Sequence, residues 1–261
     1  MSSFIRFFFG HLVFKSSETR RKKVKNSLRI PEKMKVAVVS KFGETDPKVI
    51  EHIQVAGLDY VQNDPEVVLA HGGDGTFLIA ERLFPGIPKL LLKDSKICKK
   101  CGTHTVEDAL QAIRKNTYKT QSYPKLKAEI NGKKLFAVND IVIRNDVPIY
   151  ALRFEIKLDQ EKIEEELIGD GIVLATPFGA DAYFYSIAKR GFNTGFGLAF
   201  NNLTKDINHF NFEDTKTVEV KITRGEAVVV ADNNPDFIKV KEGDIITIKK
   251  AEETAKVITL H

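Results

Sequence analysis

The stretch EVVLAHGGDGTF, residues 66 to 77, carries the strongest structural signal in this chain. Its first five residues, of which all but Glu66 are apolar, predict a buried strand. Three glycines around one acid follow and predict a tight turn, because glycine adopts backbone conformations that other residues avoid. Thr76 stands where it can cap a helix, and that helix is predicted to run to about Phe84. A strand, a turn and a helix in this order are typical of a parallel sheet with helices between its strands.

On either side of this stretch, the pattern of predicted strands and helices divides the chain into an α/β part and a mainly β part. Strands at 35–40, 58–61 and 89–92 and helices at 46–56 and 106–116 predict an α/β domain with a parallel sheet, assigned to residues 34–120 as nucleotide-binding. From about residue 122 strands dominate, beginning with a hairpin at Asn131-Gly132. One helix, at about 180–190, interrupts them. Residues 121–261 are therefore predicted to form a mainly antiparallel all-β domain of two sheets, which binds the substrate.

Charge and composition narrow the class of protein. The 261 residues carry a net charge of +5, but residues 1–33 alone carry +7, which leaves about −2 for the rest. We therefore expect no nucleic-acid partner. The apolar segment at residues 4–14 is too short to span a membrane. Two cysteines give no disulfide framework, so we expect a cytoplasmic protein. Residues 1–33 are interpreted as an N-terminal extension, or as an arm that docks on a partner or a membrane surface.

The glycine turn is the first candidate site. It lies at the carboxyl end of a predicted parallel strand, where α/β sheets bind ligands. The helix that follows offers free N–H groups and the positive end of its dipole to an anion. Asp74 would repel a phosphate, so its carboxylate is expected to contact a metal ion or a substrate hydroxyl.

Two further groups of polar residues follow strands in the second half. Asn139-Asp140 comes directly after a predicted strand, and such a pair can bind ribose hydroxyls or an adenine edge. Alone, it is equally consistent with a bulge or turn. The third group is GDGIVLATPFGADAY, residues 169–183, in which Asp170-Gly171 leads into a buried strand and Thr176-Pro177 opens a helix.

Together these three blocks resemble the NAD kinase family, which carries Gly-Gly-Asp-Gly-Thr, Asn-Glu or Asn-Asp, and Asp-Gly followed by Thr-Pro-x-Gly in this order. The resemblance covers roughly residues 34–257. It implies transfer of the γ-phosphoryl of ATP, or of polyphosphate in some members, to the 2′-hydroxyl of the adenosine ribose of NAD. It also implies Mg²⁺ bound with the nucleotide, and a homo-oligomer, either a dimer or a tetramer.

The resemblance also assigns roles to residues of this chain. Asp74 is implied as the catalytic base. The resemblance implies that Gly72, Gly73, Gly75 and Thr76 approach phosphates and that Asn139 and Asp140 hold the adenosine. It implies that Asp170 lies at the nicotinamide end, either of the chain's own ligand or of a neighbouring subunit's ligand. It also implies that Ala182, Tyr183 and Ser186 form the adenine pocket, and it includes Gly171 and Thr176 of the third block among the binding residues. No protein ligand to a metal is implied.

The chain departs from the family pattern in two places. Ala180-Asp181 replaces a Ser-Thr pair, so Asp181 is expected to alter the pocket or to take a new ribose or metal contact. A second glycine block is missing, and KDSKICKKCG, residues 93–102, stands in its place. Its lysines are interpreted as phosphate ligands or as a solvated basic loop. Cys98, Cys101 and His104 offer three zinc ligands, but free thiols are favoured because structural zinc takes four.

These departures keep two alternatives open. One is a kinase of the same superfamily that acts on another acceptor, and the other is a non-catalytic nucleotide-binding homologue. The sequence does not separate ATP from polyphosphate as donor, or NAD from NADH as acceptor.

Overall fold

The computed structural model describes residues 33–41, 43–94, 98–102 and 104–260 of the chain. Apart from Lys33, the predicted N-terminal extension lies outside these residues. Within them, no helix is long and apolar enough to cross a bilayer.

The first part of the structure is the predicted α/β arrangement. Four parallel strands lie in the order β2-β1-β3-β4. Asp46 caps α1 by accepting from the N–H of Lys48, at 2.9 Å, and Pro47 occupies the first helical position, as predicted. The elements are β1 (Lys35–Ser40), α1 (Pro47–Val55), β2 (Asp59–Tyr60), β3 (Val67–Gly72), α2 (Asp74–Leu83), β4 (Lys89–Lys93) and α3 (Val106–Lys115).

The rest is almost entirely antiparallel, which confirms the predicted fold class. Its elements are β5 (Tyr118–Ile130), β6 (Lys133–Ala137), β7 (Asp140–Asn145), β8 (Leu152–Leu158), β9 (Glu161–Gly169), β10 (Gly171–Ala175), α4 (Tyr183–Ala188), β11 (Phe196–Asn201), β12 (His209–Phe212), β13 (Val218–Arg224), β14 (Glu226–Ala231), β15 (Ile238–Lys241) and β16 (Ile245–Leu260). Six of these strands form a second sheet in the order β12-β11-β10-β7-β14-β15.

Strand β16 joins the two halves of the chain within the first sheet. It pairs antiparallel with β5 and β13 and meets β4 in parallel at Val257 and Lys89. The ten-stranded sheet therefore holds strands from both sides of residue 120, where the domain boundary stays a prediction. The largest core cluster lies between the two sheets, with Phe154, Phe196 and Ile246 among its buried residues.

The two sheets place the ends of four strands side by side. Strand β3 ends at the glycine turn, and β7 begins at Asp140, opposite Ala175 at the end of β10. Strand β14 ends at Ala231, opposite Ile141 of β7. The segments that follow β10 and β14 therefore lie at the start of β7. The glycine turn after β3 reaches the same place through the hydrogen bond from Asn233 to Gly75 O, so three of the predicted polar groups meet there.

Candidate active site

The glycine turn lies at the carboxyl end of β3, as predicted. Its helix begins earlier than expected, because Gly73 is the N-cap and Asp74 is the first helical residue. Thr76 is therefore not the cap; its Oγ1 instead accepts from the N–H of Gly73, at 3.3 Å. Neither Gly72, Gly73 nor Gly75 has a positive φ. A Cβ on Gly72 would collide with the Thr76 side chain, so lack of a side chain is what this turn requires there.

The loop that replaces the missing glycine block lies directly on Asp74. The backbone N–H of Lys99 donates to Asp74 Oδ2 and that of Lys100 to Oδ1, each at 3.0 Å. Cys98 Sγ lies 3.1 Å from the same Oδ1. This loop thus supplies backbone N–H donors to the Asp74 carboxylate, although it lacks the second glycine block of the family. The expectation of free thiols is wrong in this structure, where Cys98 and Cys101 are joined by a disulfide.

The same loop connects Asp74 to Asp181. Lys99 Nζ donates to the backbone oxygen of Asp181, at 2.8 Å, and Lys100 Nζ lies 3.2 Å from Asp181 Oδ1. Lys100 Nζ also lies 5.0 Å from the centre of the Phe178 ring. In the structure, these lysines are paired with the segment before α4.

The Asn139-Asp140 segment is held by a residue that the sequence reading missed. The Asp232 carboxylate accepts from the backbone N–H groups of Val138, Asn139 and Asp140, at 2.7 to 3.1 Å. This fixes the backbone at the start of β7 and leaves the Asn139 side chain half-buried. The signal in the sequence was that Asp232 is an acid at the end of a predicted strand, Ala227 to Asp232, and that two asparagines follow it. Asp74 and the Asn139-Asp140 pair also stand at the ends of predicted strands.

The Thr176-Pro177 turn packs against the Asn139 backbone. The N–H of Thr176 donates to Asn139 O, at 2.9 Å, and its hydroxyl donates to Val138 O, at 2.5 Å. Gly179 has no room for a side chain, because a Cβ would lie within 2.6 Å of the Asn139 carbonyl carbon. The glycine of the Thr-Pro-x-Gly pattern is thus required by close contact between two backbones.

The start of α4 places the predicted adenine-pocket residues at the surface. Ala182 and Ser186 are exposed, and Tyr183 is half-buried with its hydroxyl 3.3 Å from Asn201 Nδ2. The helix is shorter than predicted, only six residues. Beside the preceding turn, Tyr123, Pro177 and Gly195 are among the residues that line a cavity of about 880 Å³.

Asn233 connects the glycine turn to this group. Its Nδ2 donates to Gly75 O, at 2.9 Å, and its Oδ1 accepts from Arg82 Nη1, at 3.4 Å. Because Asn233 directly follows Asp232, the segment after β14 contacts both α2 and the Asn139 backbone. The glycine turn, the Asn139 segment and the Thr176 turn therefore form one continuous site.

Asp170 and Gly171 are not part of that group within the chain. Gly171 begins β10, whereas the Thr176 turn follows its other end, about 14 Å away at the usual rise of a strand. Asp170 accepts from Asn202 Nδ2, at 3.2 Å. Gly171 has a φ of +132° and abuts Ile143 O, so packing explains this glycine.

Two carboxyls, of which Asp140 is buried and Asp232 half-buried, lie together beneath the Asn139 segment. Burial and, to a smaller extent, the nearby Asp232 carboxylate together raise the pKa of Asp140 to about 7. Burial also raises the pKa of Asp232 to about 6, although its three backbone N–H bonds act in the opposite direction. At neutral pH the protonated fraction of these two carboxyls is therefore larger than that of exposed carboxyls.

This pair predicts how stability depends on pH. Both folded pKa values exceed the ordinary value of 3.8, so the folded chain binds protons that the unfolded chain has released. Their contribution is fully present below about pH 4, and it is lost as pH rises through about 7, at roughly 1.4 kcal/mol per unit of pKa difference. We expect Asp140→Asn to reduce this loss, which urea unfolding of both proteins between these pH values measures. Identical pH dependence in the two proteins would contradict the assignment.

Comparison with known proteins assigns the chain to a family. No protein-family model matches the chain. The NAD kinase of Sulfurisphaera tokodaii is 30% identical over 216 residues, which cover 77% of this chain and 84% of that protein. The crystal structure of an NAD kinase from Archaeoglobus fulgidus in complex with ATP superposes with a TM-score of 0.72 at 20% identity. The superposition covers 87% of this chain and 94% of the Archaeoglobus chain. For yeast NADH kinase complexed with NADH, the TM-score is 0.75 at 15% identity, with 89% and 85% covered.

A relative matched over most of the chain is a kinase, so the chain is a phosphotransferase, and its glycine turn and Asn139-Asp140 segment are the motifs that the resemblance pointed to. Identity to the Sulfurisphaera enzyme over most of both chains makes the assignment specific. The chain belongs to the NAD kinase family, and the predicted resemblance and kinase activity are thereby confirmed.

Proposed function

We propose that this chain transfers the γ-phosphoryl of ATP to the 2′-hydroxyl of the adenosine ribose of NAD, with Asp74 as the base for that hydroxyl. The observation that carries the proposal is the continuous site made by the glycine turn, the Asn139 segment and the Thr176 turn. This site supplies an acid, a helix N-terminus and polar side chains close together. These groups suit phosphoryl transfer because that reaction depends on positioning and charge neutralisation more than on covalent chemistry.

Each group has a proposed role in that reaction. The N-terminus of α2, with Gly72, Gly73, Gly75 and Thr76, faces the phosphates of the nucleotide, since helix N-termini bind anions. Asn139 and Asp140 bind the adenosine ribose. Ala182, Tyr183 and Ser186 line the adenine pocket, and the exposure of Ala182 and Ser186 leaves room for the base.

The loop at residues 98–101 must shift for Asp74 to act as a base. In the structure, both carboxylate oxygens accept backbone N–H bonds from this loop. These bonds occupy the carboxylate oxygens at which the acceptor hydroxyl of NAD would have to bind. We therefore propose that the acceptor hydroxyl replaces at least one of these bonds when NAD binds.

Mg²⁺ fits this site as an ion that arrives with the nucleotide. It usually keeps several waters and binds through one or two carboxylates together with substrate phosphates. Asp181 is such a carboxylate; its side chain is 42% exposed, and Lys100 is its ionic partner among the described residues. Bound there, the ion would neutralise charge on the phosphates during transfer.

Two parts of the proposal concern the setting of the reaction. Asp170 lies about 20 Å from Thr176 at the usual rise of a strand, and this separation supports a homodimer or homotetramer in which Asp170 serves a neighbour's ligand. Sedimentation showing only monomer under assay conditions would contradict that. We also propose that the reaction takes place in the cytoplasm. Cys98 and Cys101 do form a disulfide in the structure, but one bridge within a Cys-x-x-Cys turn is not the framework of several disulfides that is typical of small secreted domains. Reporter-fused protein found outside the cytoplasm would contradict this.

An assay with defined donors tests the function. Purified protein is mixed with Mg²⁺ and NAD, and with either ATP or polyphosphate, and NADP is followed with an NADP-specific dehydrogenase. We expect NADP to form with ATP, at a rate that depends on Mg²⁺. Correctly folded protein that forms no NADP with either donor would overturn the proposal.

A further inference from the structure

We propose that Cys98, Cys101 and Asp74 form a binding site for a thiophilic divalent metal ion, of which Zn²⁺ is the representative, when the cysteines are reduced. The ligand atoms of these three residues lie within 4.8 Å of one another. Among the residues that the structure describes, this is the only group of at least three such side chains this close together. The site adds Asp74 to the cysteine pair found in the sequence.

The loop has the local geometry of a metal-binding Cys-x-x-Cys turn. The N–H of Cys101 donates to Cys98 Sγ, at 3.2 Å, which is the kind of backbone bond that orients a metal-bound thiolate. Gly102 follows, with His104 folded against it, so a side chain there would meet the imidazole. The Cα atoms of the two cysteines are 5.6 Å apart, close enough for both sulfurs to bind one ion.

The third ligand is already near its place. In tetrahedral zinc sites with Zn–S of about 2.3 Å and Zn–O of about 2.0 Å, neighbouring ligand atoms are about 3.5 Å apart. Asp74 Oδ1 lies 3.1 Å from Cys98 Sγ, so these two atoms need to move apart by only a few tenths of an ångström. The two sulfurs separate when the disulfide opens. Three protein ligands leave a fourth position for water.

Binding requires the disulfide to be opened first. A dithiol or phosphine reductant supplies two electrons, and two protons from solvent or reductant complete the thiols. The ion then displaces both protons and binds the thiolates. Thiolate sulfur favours zinc, cadmium or copper(I) over Mg²⁺, so the ion that accompanies ATP does not compete for this site. The oxidised chain is accordingly a control with the same sequence.

The consequence for the kinase rests on the proposed function. If Asp74 is the base, an ion bound to its carboxylate withdraws it from the reaction. Zn²⁺ should then inhibit the reduced enzyme and spare the oxidised one.

The test measures metal binding separately from activity. Full-length protein, reduced with a phosphine without oxygen, is titrated with Cd²⁺ while the sulfur-to-metal charge-transfer band is recorded, and bound Zn²⁺ is measured after dialysis. We expect about one ion per reduced chain and none above background in the oxidised chain. Reduced wild type that binds no more metal than Cys98→Ser/Cys101→Ser, with both shown to be folded, would overturn the proposal.

Two single variants decide which residue is the third ligand. We expect Asp74→Asn to weaken binding at least about tenfold, and His104→Ala to leave it nearly unchanged. The reverse pattern would overturn the site and favour a Cys-x-x-Cys-x-x-His ligand set. Inhibition by Zn²⁺ is then compared with each protein's own metal-free rate. If the chain proves not to be a kinase, the binding results still decide the metal site.

Discussion

Replacing Asp74 by Asn is expected to lower kcat by about 10²–10⁴-fold, the usual contribution of a general base. The Kd for NAD should change little, because Asn keeps the size of the side chain and the adenosine contacts are assigned to other residues. Steady-state rates with NADP detection, together with calorimetric titration of NAD, measure the two quantities. The helix that begins at Asp74 should be retained, since Gly73 remains its N-cap.

A matched variant separates the role of Asp74 from a general loss of charge. Asp59→Asn makes the same change at an exposed carboxylate of β2, and it should leave kcat close to that of the wild type. If Asp74→Asn also stays within about tenfold of the wild type, Asp74 is not the base.

The largest expected effect on stability is that of Glu81→Gln. Glu81 is buried, and its carboxylate binds Lys125 Nζ at 3.0 Å and, on its other oxygen, Lys89 Nζ. Removing the charge leaves two buried ammonium groups with less compensation, and breaking such a group costs about 3–5 kcal/mol. Burial already lowers the pKa of Lys89, which Glu81 counteracts. Urea unfolding at neutral pH should therefore show a much lower free energy of unfolding.

The control for this prediction is an ion pair at the surface. Glu165 pairs with Lys162, and its side chain is 90% exposed, so Glu165→Gln should change stability little. An equal loss in the two variants would contradict the assigned role of burial. The effect also concerns the site, because Glu81 lies on α2 and fastens the helix that carries Asp74 to β4 and β5.

The sequence predicts this fold well where local patterns are strong. The alternation of strand and helix around residues 66–77 and the Asn131-Gly132 hairpin follow from residue chemistry alone, and both occur in the structure. The sequence pattern predicts strands at 151–158 and 171–176 but not the intervening β9, because its hairpin turn, Asp159-Gln160, places a glutamine at positive φ, where it seldom occurs. The pattern predicts β16 only at residues 244–250, because the pairing with β5 shifts register across the charged segment at residues 250–254.

The site was predictable as separate motifs but not as an assembly. Asp74 and Asn139 were found because polar residues at strand ends are a local signal. The roles of Asp232 and Asn233 depend on contacts with residues more than 90 positions away, which no local pattern contains. The amides that the loop at residues 98–101 directs at Asp74 were also unpredictable, since backbone donors leave no mark on residue type.

The position of the transferred phosphate on the product shows whether this chain phosphorylates the 2′-hydroxyl of the adenosine ribose of NAD. The product formed by the wild-type chain from NAD, ATP and Mg²⁺ is isolated, and phosphorus NMR identifies the atom that carries the new phosphate. We expect a monoester at the 2′-oxygen of the adenosine ribose, formed much more slowly by Asp74→Asn. A phosphate at any other position, or a product formed equally fast by the two proteins, would contradict it.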